Sequence, residues 1–254
     1  MLQTAVEAAR RAGQLIAERY PMQRNVSRKG YRDLVTETDI AAEEVILHLI
    51  QDRFPDHEIL SEEARGGDIG EGYTWVIDPL DGTSNYTHRV PIFSVSIALL
   101  RQGKPLIGVV YDPTRDHLFA GQRGSGATLN DQPLETSAIP QLHEALIGFD
   151  WARDEEKRDR VLSGLQRVAP RCHTVRALGS AALGLAYVAA GWLDGYFHLA
   201  LHPWDTAAAV LLITEAGGCC TSFDGKPFDV SKPRCVATNS RIHKALLNAL
   251  RGSS

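Results

Sequence analysis

Two carboxylates three positions apart close the run Trp75-Val76-Ile77-Asp78-Pro79-Leu80-Asp81, and Gly82-Thr83-Ser84 follows at once. Pro79 fixes the backbone between the acids, and Gly82 lets the chain turn tightly beside them. Hard oxygen donors on a stiff turn, next to a hydroxyl, suit a divalent cation. An ordinary acidic turn at the end of an apolar strand is the competing reading. Three more acidic clusters bear on the choice: Asp33-Leu34-Val35-Thr36-Glu37-Thr38-Asp39, Glu62-Glu63, and His202-Pro203-Trp204-Asp205. Each has a plain explanation by itself, as a helix cap, a solvated pair or a dipole partner. Pooled, Glu62, Asp78, Asp81 and Asp205 form a set of hard oxygen ligands suited to Mg²⁺. No His or Cys set has zinc-like spacing. Grouped carboxylates repel one another unless cations neutralise them, and an anion such as a phosphate ester could then bridge the ions.

The elements that must carry these residues can be read from periodicity. Val6, Ala9, Ala12, Leu15 and Ile16 recur at helical spacing, which predicts an amphipathic helix ending before Pro21. A polar, basic connection from Gln23 to Arg32 follows. Thr38-Asp39 is expected to cap a second helix running through Ile50. Ile59 to Glu63 reads as a short strand, and Gly66 to Gly72 as a surface loop. Strands are expected over Tyr73 to Ile77, Phe93 to Leu100 and Pro105 to Tyr111, with turns at Gly103-Lys104 and Asp112-Pro113. Gly121 to Gly126 suggests a hairpin, and Asn130 to Pro133 another turn. Further on, strands are predicted at Ala145 to Phe149, Tyr196 to Leu201 and Cys219 to Ser222. Helices are predicted over Glu155 to Val168, Arg176 to Val188, Trp204 to Ala216 and Arg241 to Leu250. Mixed helix and strand without a long linker favours one compact body of layered helices and sheets.

At 254 residues and 44% apolar content, the chain can bury a large core without staples. A net charge of −4 argues against a general nucleic-acid or membrane-surface binder. The sequence has neither a long apolar run nor the pattern of a secretory signal at its start. Its four cysteines, Cys172, Cys219, Cys220 and Cys235, lack metal-type spacing, and Cys219-Cys220 read as buried thiols. A reducing cytoplasm is the expected setting.

Asp78-Pro79-Leu80-Asp81-Gly82-Thr83, taken with Trp204-Asp205-Thr206-Ala207-Ala208, resembles the two signatures of the inositol monophosphatase family. The likeness extends to Asp33 through Asp39, to Ser61-Glu62-Glu63 and to Gly179-Ser180-Ala181-Ala182, and so spans nearly the whole chain. It implies an α+β fold, a layered αβαβα sandwich forming a single domain over residues 1–254, with halves at roughly 1–136 and 137–254. It also implies a lithium-sensitive phosphatase, a homodimer acting on a small phosphate ester, with about two or three Mg²⁺ ions per site. Glu62, Asp78, Asp81, Asp205 and the carbonyl of Leu80 would hold the ions. Thr83, paired with Asp39, would orient or activate the attacking water, and Glu62 would complete this catalytic group. Backbone N–H groups of Gly82 and Thr83 would receive the phosphate. Leu80, Asp81 and Asp205 would border the substrate, and Gly179, Ser180 and Ala181 would line its organic part. Lys29 lies near a loop lysine of the family, one residue closer to Asp33 than expected.

One position departs from the family pattern. Members that prefer inositol phosphate carry Glu seven positions ahead of the Asp of the Trp-Asp motif, where this chain has His198. Glu accepts hydrogen bonds from sugar hydroxyls, whereas a neutral His offers one donor and one acceptor. His198 is therefore expected either to redirect substrate choice or to be tolerated with inositol phosphate still hydrolysed. The alternatives are fructose 1,6-bisphosphate, histidinol phosphate or a nucleotide phosphate such as NADP. Two rival readings are weaker. An aspartyl-nucleophile phosphatase needs Asp-x-Asp-Gly-Thr, and this chain has one residue more between its acids. A metal-binding regulatory protein that keeps the fold without turnover would be expected to lose Asp78, Asp81, Thr83 or Asp205, and all are present.

Overall fold

The computed structural model describes residues 1–22, 26–30, 33–64, 67–152, 154–232 and 234–252, and leaves the side chains of 28–30 and 33 undescribed. The expected roles of Lys29 and of the Asp33 carboxylate therefore lie outside the described residues.

The first half runs α1 (Leu2–Arg19), β1 (Val26–Gly30), β2 (Asp33–Thr36), α2 (Glu37–Arg53), β3 (Glu58–Ser61), β4 (Tyr73–Asp81) and α3 (Thr83–Thr87). It continues with β5 (Ser94–Arg101), β6 (Lys104–Asp112), β7 (His117–Gln122), β8 (Ala127–Leu129) and β9 (Gln132–Pro133). The second half runs β10 (Leu146–Phe149), α4 (Glu155–Val168), β11 (Thr174–Ala177), α5 (Ala181–Ala189), β12 (Gly195–His198) and α6 (Pro203–Glu215). It closes with β13 (Cys219–Thr221), β14 (Cys235–Thr238) and α7 (His243–Arg251).

Strands β3 to β9 form a seven-stranded sheet in sequence order, antiparallel except for the parallel β3–β4 pair. The second sheet has the order β11-β10-β12-β14-β13, with β10 parallel to both of its neighbours and β14 antiparallel to both of its own. Side chains alternate across a strand, so each sheet feeds two cores. Trp75 and Ile77 of β4 and Val95, Ile97 and Leu99 of β5 pack with α1 and α2. Val76, Ala98 and Leu100 point the other way, into a core built by α5 and α6. Tyr196 of β12 and Ala237 of β14 close that same core from the second sheet, while Phe197 and Val236 face α4 and α7. The result is the layered αβαβα sandwich, with α5 and α6 as the middle layer.

The middle layer sits very close to the first sheet. At Gly108 of β6, an added Cβ would lie 2.4 Å from the backbone oxygen of Ala208 in α6. Nothing larger than glycine fits there, and the Ala207-Ala208-Ala209 run supplies the matching small surface on the helix.

Several local expectations need correction. Thr36 caps α2 in place of the Thr38-Asp39 pair: its side chain accepts from Thr38 N, and Asp39 supplies the reciprocal half of a capping box. The polar stretch expected from Gln23 to Arg32 contains β1, which pairs antiparallel with β2. The helix predicted from Arg176 begins only at Ala181, because β11 and the Leu178–Ser180 turn occupy its start. β12 ends at His198, short of Leu201, and β14 was not anticipated. Cys219 and Cys220 are half-buried on β13; only Cys235 is fully enclosed.

Candidate active site

Helix and strand ends bring the acidic clusters together. β4 delivers Asp78 and Asp81 across a register shift against β5, at the place where Pro79 interrupts regular pairing. Asp78 bends back so that its Oδ1 accepts from Leu80 N at 3.0 Å. Asp205 occupies the first turn of α6, and its Oδ2 accepts from His202 N at 2.6 Å, the acidic half of a second capping box. Ser96 of β5 donates to Trp204 O at 3.1 Å and ties that helix start to the sheet. Carboxylate oxygens of Asp78, Asp81 and Asp205 all lie within 4.8 Å of one another. Glu62, just past β3, donates its backbone N–H to Ile77 O at 3.2 Å, which sets it beside β4.

This grouping is electrostatically costly. Burial first, then the charges of Glu62, Asp81 and Asp205, push the Asp78 carboxyl well above the ordinary range. Burial also raises Asp81, against the pull of its hydrogen bonds. Those bonds come from Ser180 Oγ, Ala181 N at 3.2 Å, Ala182 N at 2.9 Å and Ser94 Oγ at 3.4 Å. Asp81 is thus gripped by the start of α5, whose positive dipole end favours the anion. Oxygen donors at this spacing fit a hard divalent cation, which would relieve the repulsion that raises Asp78.

Thr83 stands on the other side of Asp81. Its hydroxyl lies 3.2 Å from Asp39 Oδ1 and 3.1 Å from Leu80 O. The other Asp39 oxygen accepts from Thr36 N at 2.8 Å and from Thr36 Oγ1 at 2.5 Å. Burial lifts the Asp39 carboxyl to about 6, with the Thr36 and Thr83 hydrogen bonds holding it from rising further and the nearby Glu63 charge adding to the rise. Gly82, between Asp81 and Thr83, takes φ 93°, and a Cβ there would sit 2.9 Å from Ile92 O. Only glycine turns this corner without strain.

The expected substrate wall divides into two parts. Ser180 and Ala181 bond to Asp81 directly, whereas the Gly179 N–H goes to Asp150 Oδ1 at 2.6 Å. His198 ends β12 on the same face as Tyr196, towards the middle layer; it is 4% exposed, and its Nδ1 accepts from Ala200 N at 3.0 Å. A neutral ring holding that bond carries its proton on Nε2. Four residues that serve the site escaped the sequence reading. Ser94 and Ser96 could have been found as small hydroxyls alternating with apolar residues in β5. Asn85 lies inside the signature itself. Asp150 follows a predicted strand and gives no signal beyond its charge.

The fold and site define a layered phosphatase with an acidic, metal-suited centre. Comparisons agree. The profile of the inositol monophosphatase family matches residues 1–254. An inositol-1-monophosphatase of Synechocystis sp. is 41% identical over 252 residues, covering 98% of this chain and 88% of that protein. The Nus factor SuhB of Escherichia coli is 43% identical over 258 residues, covering 99% of this chain and 96% of its own length. The crystal structure of extragenic suppressor protein suhB from Bartonella henselae superposes with a TM-score of 0.93 at 38% identity, covering 98% of this chain and 97% of that one. The chain belongs to the inositol monophosphatase family, and with it to the phosphatases. No helix among the described residues is long and apolar enough to cross a membrane.

Proposed function

We propose that the chain is a Mg²⁺-dependent phosphomonoesterase acting on a small phosphorylated alcohol such as inositol 1-phosphate. One observation carries this reading: three carboxylates converge within 4.8 Å beside the Thr83–Asp39 pair. Glu62, Asp78, Asp81, Asp205 and the Leu80 carbonyl would hold about two or three ions. When bound, Mg²⁺ lowers the pKa of water and offsets charge on the phosphoryl oxygens. The chain's own residues supply position and proton transfer. Backbone N–H groups of Gly82 and Thr83 receive the phosphate. Thr83 Oγ takes a proton from the attacking water and passes its own to Asp39 Oδ1. The P–O bond to the alcohol breaks as water adds, and the departing alkoxide takes its proton from a second water. No bond forms between protein and phosphorus.

His198 borders the substrate's organic part and bears on choice among inositol phosphate, fructose 1,6-bisphosphate, histidinol phosphate and a nucleotide phosphate such as NADP. Lithium sensitivity, a homodimer and a cytoplasmic setting belong to the same reading; four free thiols fit a reducing compartment. Phosphate release over that panel, with and without Mg²⁺, tests the proposal. Asp81→Asn should lower the rate by about two orders of magnitude or more and weaken Mg²⁺ binding by calorimetry. Turnover near the wild-type level in that variant would remove Asp81 from the ligand set.

The name of the Escherichia coli relative favours a second reading, in which the chain also serves as a Nus factor. Complementation by the inactive Asp81→Asn chain in a strain lacking that factor would support it, and failure of the wild type would exclude it.

A further inference from the structure

We propose that Asp150 is a positioning residue for substrate: its carboxylate sets the Leu178–Ser180 turn from which α5 reaches Asp81 and the organic part of the ester. The inference rests on the phosphatase reading above. Asp150 lies one residue beyond β10 and is 6% exposed. A carboxylate taken out of water is unfavourable unless its oxygens are hydrogen-bonded. Here Oδ1 accepts from Gly179 N at 2.6 Å, and Oδ2 accepts from the Tyr196 hydroxyl at 2.9 Å. One backbone donor of the turn and the hydroxyl of a middle strand are therefore collected by a single side chain from a different strand end.

The turn needs such a hold. Gly179 sits at φ 76°, and a Cβ on it would meet the Asn85 side chain at 2.8 Å. Asn85 grips the opposite side, its Nδ2 donating to Leu178 O at 2.8 Å and to Ile92 O at 2.7 Å. Asp150 holds the segment by the Gly179 N–H, and Asn85 holds it by the Leu178 carbonyl. Immediately downstream, Ser180 Oγ, Ala181 N and Ala182 N converge on Asp81. A displacement of about 1 Å at such a point can cost on the order of a hundredfold in rate, even when the moved residue is remote from the chemistry. Burial lifts the Asp150 carboxyl to about 7, while the Gly179, Tyr196 and Leu178 donors oppose the rise.

Asp150→Ala and Asp150→Asn separate this role from simple stability. Asn retains an acceptor for Gly179 and reverses the bond to Tyr196, so it should recover what Ala loses. In Asp150→Ala, KM for the ester should rise about tenfold or more, while inhibition by inorganic phosphate alone weakens by less than about threefold. Asp150→Asn should stay within about threefold of wild type in both measures. Amide exchange at residues 179–182 gives a readout independent of turnover: it should accelerate in Ala and not in Asn. A fall in Tm with unchanged KM and unchanged exchange overturns the inference, as does equal damage in Ala and Asn. If Asp150→Ala does not fold, Asp150→Ser carries the same comparison. A wild type that hydrolyses no ester refutes the phosphatase reading, and the exchange result still decides whether Asp150 holds the turn.

Discussion

Asp39 shows how one side chain serves two neighbours. One oxygen completes the capping box of α2, and the other meets Thr83. Burial sets its carboxyl at about 6, above the ordinary 3.8. The ionised form is the one that can take a proton from Thr83. Activity should therefore fall as pH drops through about 6, and the acid limb of kcat against pH measures this. Asp39→Asn should remove that limb together with about a hundredfold of the rate, the usual scale of a positioned proton acceptor. A limb unchanged in Asp39→Asn would assign it to another group. Most of the site's residues were legible at this scale, because each acid stood beside a turn, a cap or a strand end in the sequence. Asp150 was not, since nothing local distinguishes a buried carboxylate from a surface one. Its partners Gly179 and Tyr196 lie 29 and 46 residues away.

At the scale of elements, long periodic segments were readable, and short ones unevenly: β3, β10, β12 and β13 were expected, β11 and β14 were not. α4 begins and ends where its pattern predicts, over Glu155–Val168. β4 stands out because a nearly continuous apolar run marks a strand buried on both faces. The four-residue strands β11 and β14 carry too few side chains to show a period, and β11 has helix-compatible residues that only its pairing with β10 overrides. The β1–β2 hairpin escaped for a similar reason, as its polar residues give no alternation. The approach of α6 to β6 was equally invisible, although Gly108 makes it testable. Gly108→Ala forces a Cβ against Ala208 O and should cost about 1–3 kcal/mol, read as a lower denaturant midpoint. Because α6 also carries Asp205, the same change should weaken Mg²⁺ binding. Unaltered stability and binding would mean that helix and sheet part without cost.

For the molecule as a whole, the middle layer decides how the halves behave. α5 and α6 come from the second half of the sequence, yet their core includes Val76, Ala98, Leu100, Val110 and Phe119 of the first sheet. A fragment ending at residue 136 would expose that face to water, so it should fail to fold alone. The full chain should melt in one transition seen alike by near- and far-ultraviolet circular dichroism. Two separated transitions would refute this shared core. The capping boxes carry a consequence of a different kind. Residues that perform chemistry commonly weaken the fold around them, and their removal makes a protein hardier. Asp205 works both ways: its charge raises Asp78, yet its Oδ2 closes the capping box in the first turn of α6. Asp205→Asn relieves the repulsion and keeps an acceptor for His202 N, so Asp205→Ala should be less stable than Asp205→Asn by about 1 kcal/mol, measured as a lower melting temperature without Mg²⁺. Selection for stability alone would thus keep an acceptor at this position even in an inactive chain.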